Sequence, residues 1–235
     1  QFGTIYATST LFSSLLLIWV GKKIDDVNVF KFSIFVIILL SFSCFFFSKV
    51  SSITLLFIGI FFMRFSGQGM MSHTASTTIS RYFTKSRGKA LSGGWFGLST
   101  AEFILPVLLV YLLTFIDWRD LYVSFSLIVI ILLPIFSFFL IKNLNLDSRE
   151  INDNKTNDDQ NIKQWKRIEV IKDYRFYIIC MNMFAMPSIA TGVFVYQSFI
   201  TSSKEWGSYI IAQSFMSYSV FSVITLILSG FLIDK

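Results

Sequence analysis

Two residues of opposite charge stand where charge is costly. Arg64, in the run FFMRFSGQG, and Glu102, in STAEFILP, are both surrounded by apolar sequence. A guanidinium keeps its proton in such a place, so Arg64 must be paired, face water or snorkel. Its planar fork suits a carboxylate by charge and by geometry. Glu102 is a candidate proton carrier, since a carboxyl among apolar neighbours can trade its charge for a proton. The two can also form a structural ion pair that locks helix packing. His73, nine residues beyond Arg64, is the only histidine. Imidazole titrates near neutrality and suits proton coupling, but a packing role with one hydrogen bond fits it as well.

Other chemistry lacks its residues. Cys44 and Cys180 both lie in apolar runs and read as small hydrophobes, not as a disulfide or metal pair. With one histidine, neither a His-rich or Cys-rich zinc site nor a Ser-His-Asp triad is expected. No G-x-x-x-x-G-K-[ST] occurs, so no nucleotide site, and no cofactor of any kind, is expected.

The elements that hold Arg64 and Glu102 follow from hydropathy. Only 14% of the 235 residues are charged and 54% are hydrophobic, whereas a soluble domain carries roughly 25% charged residues to wet its surface. Seven stretches, at 3–20, 31–48, 52–79, 90–114, 120–141, 176–200 and 207–233, are apolar and long enough to cross a bilayer as helices. The fold class is therefore all-α, a polytopic membrane protein. The loops at 21–30, 80–89 and 142–175 are rich in Lys and Arg, and the opposite connections are short and poor in them. The positive-inside rule places the first set in the cytoplasm, and the alternation agrees with seven spans. The formal charge of +6 then reflects orientation and contact with lipid headgroups, not nucleic-acid binding. At a rise of roughly 1.5 Å per residue, Arg64 and Glu102 both fall about 18–20 Å from their outer helix ends. They are expected to share one site.

The only domain boundary is the long inner loop. Residues 1–141 form a first bundle, 142–175 a linker, and 176–235 the start of a second bundle. REINDNKTNDDQN within the loop is polar and reads as flexible. After it, Ile162, Trp165, Ile168 and Ile171 recur at every third residue or so, as in a short helix on the membrane surface.

Small residues cluster near the charges. Gly67 and Gly69 follow Arg64, while Gly93, Gly94 and Gly97 precede Glu102, with Pro106 beyond it. Missing side chains allow close helix approach, and a proline permits a bend. One pattern repeats: Gly21-Lys-Lys-Ile-Asp25 closes the first span and Gly230-Phe-Leu-Ile-Asp234-Lys235 closes the seventh. Such an echo at corresponding ends marks two parallel repeats.

These residues together resemble the major facilitator superfamily. Gly21 and Asp25 match its G-x-x-x-D-[RK]-x-G-[RK] loop, and Gly230, Asp234 and Lys235 match the start of the second copy. Arg64, Gly67 and Gly69 match R-x-x-G-x-G, and Trp118-Arg119 is similar to the WR found before a later span. Asp26 and Asn28 depart from the pattern, standing where a basic residue and a glycine are expected. The resemblance implies a helical bundle of which this chain supplies the family's second to eighth helices, as an internal piece of a longer polypeptide. It implies a multi-pass protein of the cell membrane, a monomer, with Gly21, Asp25, Gly230, Asp234 and Lys235 at an inner gate. The loop RYFTKSRGKALS is similar to that of monocarboxylate and oxalate/formate carriers. This implies alternating-access transport of a small organic anion with a proton, using Arg64, Glu102 and His73. A proton-coupled exporter of amphipathic compounds is the alternative, and a membrane-embedded receptor or enzyme is the alternative of another class.

Overall fold

Backbone amides in lipid have only one another to bond with, and within an apolar run the local solution is a helix. The computed structural model describes residues 2–83, 87–141 and 167–233, and every regular element among them is helical. Helix α1 (Phe2–Val20) continues into a tighter 3-10 turn, Gly21–Asp25. Helix α2 (Val29–Ser48) starts where the Asn28 side chain accepts from the backbone N–H of Phe30 and Lys31. The third span is one rod in three parts: α3 (Ile53–Met63), a π-helical segment (Arg64–Met71) and α4 (Ser72–Tyr82). Ser52 caps it by accepting from Leu55 N–H. Then follow α5 (Arg87–Leu112) and α6 (Trp118–Ile141). The short α7 (Arg167–Lys172), α8 (Tyr174–Ser203) and α9 (Ser208–Ile233) complete the set.

Seven of these helices are long and apolar enough to cross a membrane, and they coincide with the seven stretches read from the sequence. Large apolar side chains such as Phe12, Phe35, Ile131 and Phe139 lie exposed along them, as lipid-facing residues must. The chain is a multi-pass membrane protein. Of the expected surface helix, Arg167–Lys172 is helical and exposes Ile168 and Ile171; Ile162 and Trp165 lie outside the described residues.

The chain divides into two units. One comprises Gln1–Asp153 with Ala212–Lys235, and the other Asn154–Ile211. Within the first unit, Ser222 and Gly230 of α9 meet small residues of α5. Within the second unit, α8 begins with Asp173 accepting from Arg175 N–H and runs through Pro187.

In the first unit α2 lies along α6, joined where Ser41 and Ser126 each donate to the other's backbone carbonyl, at 3.0 and 2.9 Å. On its other side α2 meets α3 and the π segment. There Ser43 Oγ stands 3.0 Å from Ser66 Oγ. Serine suits both seams: it is small enough for close approach, and its hydroxyl can bond across or along the helix. Ile24, Phe32, Val36, Phe65 and Met70 form the buried core. At the far end, Phe47 meets Tyr122 at a tilt, 4.8 Å between centroids, and Trp118 edge to face at 6.3 Å. Arg119 covers the Trp118 ring and donates to Val50 O at 3.2 Å.

Candidate functional site

The π segment opens at Arg64. A π turn widens the helix and re-aims side chains, and such turns recur at functional sites. Here it carries a half-buried arginine against α1. Arg64 Nε donates to Thr10 Oγ1 at 3.2 Å, and the guanidinium carbon stands 4.6 Å from the Tyr6 ring centroid. Tyr6 and Thr10 are one helical turn apart, so both face the same neighbour. The two terminal nitrogens have no protein partner among the described residues. No buried side-chain N or O there lacks a hydrogen bond, so those nitrogens reach accessible space. Gln68, four residues on, is exposed in the middle of the same span.

Glu102 is not brought to Arg64. The Arg81–Asp25 pair is the only salt bridge among the described residues, so the expected pairing does not form. Helix α5 packs against α4 and not beside the Arg64 turn, which leaves Glu102 turned toward α9. There it lies half-buried within electrostatic reach of Tyr218. One turn away Ser99 Oγ and Ser222 Oγ are 3.2 Å apart. Contacts at Lys89–Phe231, Ser92–Gly230 and Ser99–Ser222 run antiparallel along this α5–α9 seam.

His73 stands apart from both charges. Its Nε2 is 3.0 Å from Gly21 O, at the 3-10 turn that ends the first span. A side chain on Gly21 would approach the imidazole to 3.3 Å. Next to it Arg81 binds twice, to the Asp25 carboxylate as an ion pair and to Ile24 O at 3.2 Å. Gly21, Asp25, His73 and Arg81 therefore form one cluster tying the end of α1 to α4. Gly230 lies on the α5–α9 seam; Asp234 and Lys235 lie outside the described residues.

The glycines divide. A methyl on Gly94 would come within 2.5 Å of Ile79 Cδ1, on Gly230 within 2.6 Å of Ser92 Oγ, and on Gly67 or Gly69 within 3.4 Å of a neighbour. Gly94 and Gly230 are points of close helix approach, whereas Gly67 and Gly69 are in ordinary contact. At Gly93 and Gly97 a methyl would meet nothing within 4 Å. Among the described residues, neither lies at a close helix contact. Pro106 sits inside α5, which stays helical through it.

Sequence reasoning missed Tyr6, Thr10, Gln68, Tyr218 and the partner role of Arg81. A Tyr-x-x-x-Thr pair in an otherwise apolar span was a signal for the first two. Taken together, the bundle holds an arginine fork whose terminal nitrogens reach accessible space, a carboxyl without an ion-pair partner among the described residues, and a charged latch at one end. A family model described as Major Facilitator Superfamily matches residues 1–235. No curated protein and no solved structure matches the chain significantly.

Proposed function

The chain belongs to the Major Facilitator Superfamily, whose members are secondary transporters of small solutes, and on that premise we propose that it moves a small organic anion together with a proton by alternating access. The observation that carries this reading is the state of Arg64. Its Nε is held by Thr10 and its face by Tyr6, while its terminal nitrogens are left to a ligand. A carboxylate would take both in a bidentate pair. In this reading Glu102, free of any ion pair among the described residues, carries the proton beside Tyr218. The Gly21–Asp25–His73–Arg81 cluster closes the cytoplasmic end, where the basic loops place it.

The decisive measurement uses the protein in proteoliposomes with an inward proton gradient and a panel of radiolabelled mono- and dicarboxylates. Gradient-driven uptake of at least one, lost in Arg64→Gln, is expected. Uptake of none, or an Arg64→Gln variant that transports as wild type, overturns the reading. The unpaired state of Glu102 favours a second reading, export of amphipathic compounds. That reading predicts proton-driven efflux of an apolar cation with no carboxylate-linked proton uptake.

A further inference from the structure

A carboxyl group that gives up its proton at membrane depth must find hydrogen-bond donors or stand there at a high desolvation cost. The α5–α9 seam decides which donors can reach Glu102. Its contacts pair Lys89 with Phe231, Ser92 with Gly230 and Ser99 with Ser222, so ten residues up α5 answer nine down α9. Three residues further along α5 stands Glu102, and three or four further down α9 stand Ser219 and Tyr218. Ser219 is buried and donates to Phe215 O on its own helix. Ser99 and Ser222 are taken up with each other. The Tyr218 hydroxyl has no hydrogen bond to any described residue, and it lies within electrostatic reach of Glu102. No charged residue occurs on α9 to compete for the carboxylate. On α4, His73 and Arg81 are turned to the end of α1, and Tyr82 stands beyond them at the helix terminus. On α5 itself the nearest charge is Lys89, thirteen residues away.

We infer that Tyr218 is a positioning residue for the proton on Glu102: its hydroxyl is the donor that the ionised carboxylate draws across the seam. A phenol suits this task. It reaches farther than a serine and donates without bringing a charge of its own into the membrane. Donor and acceptor stand on different helices, so proton release tightens α5 against α9 and proton uptake slackens them. The inference rests on the reading of Glu102 as the proton carrier, but not on Arg64 or on the identity of the solute.

The test follows the protonated carboxyl itself. Wild type and variants in phosphatidylcholine bilayers are treated with dicyclohexylcarbodiimide, which attacks a carboxyl group only while it holds its proton. Adducts at Glu102 are counted by mass spectrometry across a pH series. Tyr218→Phe keeps the ring and removes the donor. At the acid end, where Glu102 is protonated in both proteins, the variant should label as wild type does. Toward alkaline pH it should label about tenfold more, the weight of one hydrogen bond to a charged group. Replacing Tyr218 by a ring-fluorinated tyrosine, a stronger donor of nearly the same size, should move the fall in labelling the other way. Superimposable profiles, a Tyr218→Phe variant that labels faster by one factor at every pH, or a Glu102 unlabelled throughout overturns the inference. Labelling needs no solute, so it holds or fails separately from the carboxylate uptake assay.

Discussion

Arg64 is held by an edge and a face, and both constraints are specific to a guanidinium. Lysine would keep the charge but lose the Nε–H to Thr10 and the guanidinium's contact over the Tyr6 ring. Arg64→Lys should therefore raise the apparent KM for a transported carboxylate by about tenfold or more, the scale of one charge-assisted hydrogen bond, measured as initial uptake against concentration. In the proposed function Glu102 carries the proton, so Glu102→Gln should remove the coupling and leave the proposed anion site alone. Counterflow exchange should survive in it, while accumulation driven by a proton gradient is lost. Both charges were legible in the sequence because any ionised group in an apolar run stands out. Their partners were not. The spans are apolar on all sides, so the sequence says how deep Arg64 and Glu102 sit but not which way each points. The pairing expected from matched depth gave way to Thr10, Tyr6 and Tyr218 for that reason.

Among the elements, the spans themselves were readable from length and hydropathy alone, while the caps that fix their ends, Asn28, Ser52 and Asp173, emerge from the structure. The π segment was not readable, since RFSGQGMM has no sequence mark that separates a wide turn from an α turn. Nor did composition sort the glycines, which differ only in what faces them. Gly59 shows how much this matters. A methyl there would lie 2.9 Å from the Phe47 ring and 3.2 Å from Val50 Cγ2, and Phe47 is pinned by Tyr122 and Trp118. Gly59→Ala should cost roughly 1–3 kcal/mol of stability through overpacking. Gly94→Ala presses only on the tip of Ile79, which can rotate away, and should shift the melting temperature in detergent far less.

On the scale of the molecule, arginines fasten both ends of the first bundle to backbone carbonyls: Arg81 to Ile24 O and Arg119 to Val50 O. Carbonyls near helix ends lack intrahelical partners, and these two side chains supply them. The orientation proposed from the basic loops can be checked with single cysteines. Ser51→Cys should react with a membrane-impermeant maleimide in intact cells, and Asn28→Cys only after permeabilisation. The reverse pattern would invert the bundle and with it the side assigned to Asp25 and Arg81. One further property follows from the wide turns of Arg64–Met71. A helix whose turns hold extra residues can surrender one. Deleting a single residue within 66–70 should be absorbed by reversion to α geometry, leaving His73 near Gly21. The same deletion midway along α2 would swing everything past it by about 100° and tear Ser41 from Ser126. A deletion scan read out by surface expression should show one tolerant window in the third span and none in the second. The stretch that aims the arginine would thus double as the chain's slack.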